Sequence, residues 1–418
     1  MRVIKSFVIF FWLSTLPVSV FAMSLQDAER LALERDTIIK SIDQQALAFA
    51  EKSRSVESWP DPRIKLGVQA VPVGSFDLEQ EPMTQIVLGY QQMLPRGNSL
   101  IYASESMNAM SRMQTAKSAK RKREVLKQVR QAWLDVVFHN ESIRIIQANR
   151  QLFSKMLDIT QSYYAAGRQQ QQDVVQAELE ISLVDDRLEQ ALSKRIVAKA
   201  NLAKWIGEEN MDDEVFFVDK SLKIKVLPEI HLLNSTLQKN PELIAANESI
   251  VSQQNKLDMA EEQYKPQWGF DINYGQRSGN NLDGSERDDF LSAMVTLDLP
   301  LFTENKQDRI VSAERQRLQA TRYKQQDVNR MLVKRLHVIN ARLQKLTDRY
   351  RLYQEKVLAQ AHQNSEVSLK GYQSGVVSFF TLTRARITEL NTRLANLRIK
   401  VDYNKAYAEL QYLTGGKK

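Results

Sequence analysis

The sequence predicts a mainly α fold with a small β part. It reads as a duplicated repeat of long coiled-coil helical hairpins, with four β-strands of a length that can cross a membrane. Three observations carry this. First, residues 305–374 contain no Pro and a single Gly, Gly371. Within them Leu332, Leu336, Ile339, Leu343, Leu346, Tyr350, Tyr353 and Val357 recur at alternating spacings of four and three. That is a heptad seam, which requires a partner helix along its length. At about 1.5 Å per residue the rod would reach about 100 Å, several times the width of a compact domain. Second, the rod occurs twice. Residues 100–166 are also free of Pro, and Leu126, Val129, Trp133, Val136, Ile143 and Ile146 are spaced for one face. The rods break at Gly167 and Gly375, 208 residues apart; Leu94-Pro95 and Leu299-Pro300 lie 205 apart, and the helix ends at Gly207 and Gly415 lie 208 apart. A constant offset over several landmarks marks an internal duplication. Third, the hydrophobic period switches from helical to two at matching places in both repeats.

The strands are read from that switch. Ile64, Leu66, Val68 and Ala70 alternate with polar residues and Gly67; after a polar loop, Ile86, Leu88 and Tyr90 alternate with Gln85, Gly89 and Gln91, although Val87 here, and Phe290 and Met294 in the second repeat, break strict alternation. The second repeat copies the pair with Trp268, Phe270, Ile272 and Tyr274, then Leu291, Ala293, Val295 and Leu297. A segment of about 9–11 residues with one apolar face matches a transmembrane β-strand as well as a half-buried soluble one. A membrane barrel needs about eight strands, and open edges are forbidden in lipid. On the membrane reading, other copies of the chain must therefore supply the missing strands.

The remaining helices are expected over 24–57, 168–206, 233–264 and 376–414. Ser24 is the N-cap of the first, with Asp27 at the capping-box position. Two shorter helices stacked end to end then match the length of each long rod. The return helices carry seams of their own, Ala177, Ile181, Val184, Leu188 and Ala191, and Ile387, Leu390, Leu394, Leu397 and Val401. The domain organisation follows as a signal peptide (1–22), a first repeat (23–207, with a β-hairpin at 63–94 and a tip at Gly167), a linker (208–231) and a second repeat (232–418, with a β-hairpin at 267–299 and a tip at Gly375). The linker is irregular, has an acidic patch at Asp212, Asp213 and Glu214, and is expected to wrap the middle of the rods.

Composition narrows the function. Residues 1–22 have Arg2 and Lys5 before an apolar run, Phe7–Leu16, and end in Val20-Phe21-Ala22, the pattern of a secretory signal peptide. No later run of about 18 apolar residues offers a transmembrane helix. The chain has no Cys, which excludes a disulfide framework and a lipidated Cys. The net charge of +8 comes from 58 basic and 50 acidic residues spread along the rods. The densest basic run, Lys117 with Lys120-Arg121-Lys122-Arg123, lies in mid-rod as a solvated face, so no nucleic-acid partner is expected. No phosphate loop, dinucleotide fingerprint or nucleophile elbow is found, and His139, His231, His337 and His362 lack ligand spacing. The chain is expected not to be an enzyme and to need no cofactor. Met107, Met110 and Met113, three apart on one helix, are weak candidates for a Cu(I) way-station, with flexible core packing as the alternative.

The duplicated order of helix, two strands, Leu-Pro, long helix, Tyr/Gly turn and helix, with Lys239-Asn240-Pro241-Glu242-Leu243 opening the second repeat, resembles the outer-membrane efflux protein family, the TolC-like channel-tunnels. The resemblance covers the mature sequence. It implies a homotrimer whose twelve strands form one barrel in the outer membrane of a Gram-negative cell, continued by a helical tunnel into the periplasm. It also implies a periplasmic adaptor (membrane fusion) protein and an inner-membrane RND-type pump that dock at the tips, here Gly167, Arg168, Gly375, Val376, Val377 and Ser378. Trp59-Pro60-Asp61-Pro62, Glu81-Pro82-Met83-Thr84-Gln85 and Leu94-Pro95-Arg96-Gly97 look most like the heavy-metal CzcC/CusC-like branch. The implied function is passive conduction of heavy-metal cations, copper or silver first; the alternatives are drug efflux, type I secretion, or a periplasmic coiled-coil adaptor. At the tunnel entrance the family pattern has acidic residues six and nine positions after the second tip glycine, where this chain has Thr381 and Arg384, while Asp173 matches in the first repeat. The family's Arg two positions after that glycine is Val377 here. Glu178 and Glu180 could join Asp173 in an acidic entrance. After Gly375, Val376 and Val377 are expected to stand exposed, because a turn leaves little helix to pack against.

Overall fold

The computed structural model describes residues 23–210, 222, 224, 225 and 229–415. The expected signal peptide and the acidic patch at Asp212, Asp213 and Glu214 lie outside the described residues. In the first repeat the elements are α1 (Leu25–Arg35), α2 (Thr37–Glu57), β1 (Arg63–Gln69), β2 (Gln85–Met93), α3 (Ser99–Ala165) and α4 (Gln171–Ile206). In the second they are α5 (Ile230–Leu237), α6 (Pro241–Glu261), β3 (Gln267–Gln276), β4 (Phe290–Asp298), α7 (Gln307–Leu352), α8 (Leu358–Gln373) and α9 (Phe379–Thr414).

Local chemistry sets the helix boundaries. The capping box forms: the Asp27 amide donates to Ser24 Oγ at 3.2 Å, and the Ser24 amide to Asp27 Oδ2 at 3.3 Å. The single helix expected over 24–57 is broken, however. Asp36 takes extended backbone (φ −67°, ψ 106°), and its carboxylate accepts from the Ile39 amide at 2.7 Å, opening α2 afresh. The second repeat corrects in the same way. The helix expected over 233–264 starts at Ile230, breaks before Asn240, and finishes in a 3-10 turn over Glu262–Tyr264. Asn240 caps α6 by accepting from the Glu242 amide at 2.8 Å, with Pro241 at the first helical position, where its missing N–H costs nothing. Asp36 and Asn240 lie 204 residues apart, so the break is itself part of the duplication.

The second rod is also interrupted. Residues Tyr353–Val357 form a π-helical segment between α7 and α8. Leu332, Leu336, Ile339, Leu343 and Leu346 are buried as the heptad requires, but Tyr353 and Val357 are only half-buried. Burial resumes at Ala361, fifteen residues past Leu346 and so one more than two heptads. The π turn absorbs that extra residue.

The chain forms two compact units, which are not the two repeats. One comprises Met1–Arg35, Gln128–Lys225 and Lys345–Lys405; the other comprises Asp36–Lys127, Val226–Gln344 and Ala406–Lys418. The first, the tip unit, has a core of Ile143, Ile146, Phe153, Met156, Val184, Tyr372, Phe379, Leu382 and Leu390, contributed by α3, α4, α8 and α9. The second, the sheet unit, holds all four strands. In it α3 packs closely on small residues: Ser111 Oγ donates to the Ala46 carbonyl at 2.8 Å, and Ser106 Oγ to the Ser252 carbonyl at 3.2 Å. No helix among the described residues is long and apolar enough to cross a membrane.

Candidate functional site

The sheet comes first, because its edges state what is missing. Its order is β1-β2-β3-β4, antiparallel throughout, so β2 pairs with β3 and the two duplicated hairpins join side by side. The registers put Ile64, Tyr90, Ile272 and Ala293 in one row and Leu66, Leu88, Tyr274 and Leu291 in the next. Directly opposed residues share a face, so the alternating apolar residues of all four strands form one apolar surface. That surface is open: Leu66 is 79% exposed and Leu291 77%. The other face is mixed: it carries Arg63, Gln91 and Asp271 beside Met294, and Lys65, Gly89, Asn273 and Ser292, but also a row of Gly67, Val87, Gly275 and Phe290. There the Lys65 ammonium pairs with Asp271 across β2, passing the side where Gly89 has no side chain. A Cβ at Gly89 would lie 2.3 Å from Asn273 Oδ1. At the far end, Arg287 Nη1 donates to the carbonyls of Glu79 (2.9 Å) and Glu81 (3.3 Å), tying the loops after β1 and β3 together. Among the described residues β1 and β4 each leave one edge unpaired. A sheet with one apolar face and two open edges completes itself only by adding strands.

The tips are built by one device used twice. In the first hairpin, Gly167 (φ 69°) lets the Arg168 amide donate back to the Tyr163 carbonyl at 2.8 Å and its own amide to Tyr164 at 2.9 Å. In the second, Gly375 (φ 76°) lets Val376 donate to Gly371 at 2.8 Å and its own amide to Tyr372 at 3.0 Å. Both are Schellman closures, which need the left-handed conformation that Gly adopts freely. The structure then separates the sequence-derived candidates. Gly167, Arg168, Gly375 and Ser378 are exposed, and Val376 is 79% exposed. Val377 differs from expectation: it is half-buried, packs against the core of the tip unit, and lies where a Cβ on Gly371 would touch it at 3.1 Å. Its place beside the turn is open because Gly371 has no side chain. Ser378 caps α9, its Oγ accepting from the Thr381 amide at 3.3 Å and lying 3.1 Å from Thr381 Oγ1. Of the two Phe residues that follow, Phe379 is buried and Phe380 is 68% exposed.

Asp173, in the first turn of α4, is partly buried, and this desolvation raises its carboxyl pKa. Thr381 and Arg384 are exposed on α9, and Glu178 is exposed on α4. Glu180 is buried and accepts from Gln176 Nε2 at 2.9 Å, which removes it from an open acidic entrance. Met107, Met110 and Met113 lie half-buried along α3. Among the described residues, no three His, Cys, Asp or Glu side chains are grouped to hold a metal.

Two features of the tip unit escaped the sequence reading. Tyr372 is fully buried, stacks at 5.6 Å edge-to-face on Phe379 and donates to Thr160 Oγ1 at 3.3 Å, while Tyr163 OH donates to the Gln373 carbonyl at 3.2 Å. The two hairpin tips are thereby bonded to each other. The second feature is a buried ion cluster between α8 and α9. Glu389, 2% exposed, lies 3.0 Å from His362 Nδ1, accepts from Arg393 Nη2 at 2.6 Å, and pairs with Arg386 Nη1 at 3.2 Å. Arg386 in turn reaches Glu366 at 3.1 Å. Burial pushes the Glu389 carboxyl up, but Ser365, His362 and Arg393 outweigh it and hold the pKa below the usual range. At an offset of 208 residues, the first-repeat counterparts of Ser365 and Glu389 are Leu157 and Ile181, which are apolar. A polar pair inside an otherwise apolar seam was the available signal.

The fold, two paired helical hairpins ending in glycine turns with two β-hairpins in one open sheet, is shared with solved outer-membrane channels. Residues 232–416 match the family described as outer membrane efflux protein. The fold is similar to that of CusC (14% identity, TM-score 0.79, covering 94% of this chain and 92% of that one). It is also similar to the open state of the Neisseria gonorrhoeae MtrE outer membrane channel (15%, 0.77, 94% and 89%) and to VceC of Vibrio cholerae (16%, 0.75, 94% and 96%). Among curated proteins, none matches the sequence. The family match thus covers the second repeat, somewhat under half of the chain, and the likeness of fold extends over 94% of it.

Proposed function

We propose that this chain, as a homotrimer, is the outer-membrane channel-tunnel of a tripartite efflux system that passively conducts transition-metal cations, copper or silver first. The open four-stranded sheet, apolar on one face and unpaired at both edges, carries the channel reading. Three copies would supply twelve strands and close the barrel in outer-membrane lipid, and the helical hairpins would line a tunnel into the periplasm. A periplasmic adaptor and an RND-type inner-membrane pump would dock at the tips around Gly167, Arg168, Gly375, Val376 and Ser378, with Asp173, Thr381 and Arg384 at the entrance. Residues 1–22 would be removed on export. Conduction needs no tight site, because the solute must leave as readily as it enters.

The metal assignment is supported by the hairpin motifs Trp59-Pro60-Asp61-Pro62 and Leu94-Pro95-Arg96-Gly97, which resemble the heavy-metal branch, and by the fold shared with CusC. Deleting the gene and scoring tolerance tests it. Lowered tolerance to copper or silver is expected; unchanged metal tolerance with sharply lowered tolerance to dyes or detergents would transfer the assignment to drug efflux.

A further inference from the structure

We infer that Leu301 and Phe302 of one copy pack on Trp59 of the next, forming an apolar joint where β4 of one chain meets β1 of its neighbour. The inference rests on the multi-copy barrel proposed above and names one of its contacts. Because the strands alternate in direction, an incoming β1 would run antiparallel to β4 and bring its start, Arg63, beside the end of β4, Asp298. At that same end stand unusually exposed side chains. Trp59, four residues before β1, is 61% exposed; Leu301 and Phe302, just after β4, are 73% and 90% exposed.

The duplication supplies the argument for what covers them. The residue equivalent to Leu301, at an offset of 205, is Arg96, which follows β2. Inside the chain β2 is followed in the sheet by β3, and Arg96 Nη1 donates to the carbonyl of Gln263 at 3.2 Å. Gln263 lies four residues before β3, as Trp59 lies four before β1. The intrachain junction of β2 with β3 thus already shows the contact that the β4-to-β1 junction would make between copies. Gly97, the counterpart of Phe302, closes its junction too: it has φ +47°, and a Cβ there would meet Glu262 Oε2 at 1.8 Å. The polar contact within the chain is replaced between chains by Leu and Phe on one side and Trp on the other. Exposed large apolar groups at matching ends of two open edges fit a second copy of this chain.

The absence of Cys makes the test direct. Trp59→Cys with Leu301→Cys, and separately Trp59→Cys with Phe302→Cys, would be treated with a short bismaleimide on protein purified in detergent. Covalent dimers and trimers on a denaturing gel are expected from the paired variants and none from any single variant. Arg96→Cys with Gln263→Cys is the positive control and should link within one chain, without change of mass class. A multimer by native mass that gives no ladder from either pair would overturn the joint while leaving the shared barrel standing. A native mass of one chain would overturn both.

Discussion

At the residue scale, the tip glycines and the buried glutamate make opposite demands. Gly375 has open space where a Cβ would go, so a side chain there costs only the left-handed backbone, about 1–2 kcal/mol. We expect Gly375→Val to leave a folded protein of normal abundance that no longer supports efflux, because the turn presenting Val376 is re-aimed. Val376→Asp should have the same phenotype with less effect on stability, since Val376 is 79% exposed. Resistance assays with protein levels measured in parallel decide it, and full resistance at normal levels would place the pump contact elsewhere. Glu389 behaves differently. Removing it leaves Arg386, with 5% side-chain exposure, facing only the half-exposed Glu366. Breaking a buried pair costs about 3–5 kcal/mol, so Glu389→Ala should move the helical unfolding transition to markedly lower denaturant. The pH dependence has a definite sign. The folded pKa of Glu389 is depressed, so its stabilisation is full above the ordinary carboxylate range and is lost as pH falls through the lower folded value. The stability gap between the wild type and Glu389→Gln should therefore shrink in acid, as read by unfolding midpoints across a pH series.

At the element scale, the π segment at Tyr353–Val357 is the departure with the clearest physical cause. One residue in excess of two heptads separates Leu346 from Ala361, and the helix widens locally so that both flanks keep their buried faces. Deleting Glu355 should convert the segment to regular α-helix and leave both seams in phase, with folding and abundance retained. Deleting Lys334, inside the regular heptads of α7, should rotate every residue beyond it by about 100° out of the seam and abolish accumulation. Comparable abundance of the two deletions would contradict this account of the seam. The contrast also shows what the sequence makes legible. Leu332 to Leu346 declare their periodicity directly, and the strands declare theirs by alternation. The segment past Tyr350 misled because Tyr353 and Val357 continue the heptad in spacing although the backbone does not. The breaks at Asp36 and Asn240 were visible only as capping residues inside helical patterns, a signal that becomes strong once both repeats carry it at one offset. At the tips, the exposed or buried state of Val376, Val377, Phe379 and Phe380 could not be read from hydrophobicity. It depends on which side of the Schellman turn each side chain leaves, and on the room left by Gly371.

At the scale of the whole molecule, the organising fact is that the chain cannot finish its own sheet. Each repeat contributes a β-hairpin, the two hairpins pair through β2 and β3, and the edges of β1 and β4 stay open. In water such a surface would aggregate; in a bilayer it must close into a barrel. The most direct test is the native mass of the full-length gene product, purified from membranes in mild detergent. Three chains in a discrete complex, dissociating to one only on heating, is the predicted result. A stable, monodisperse single chain would contradict the shared barrel and, with it, the channel.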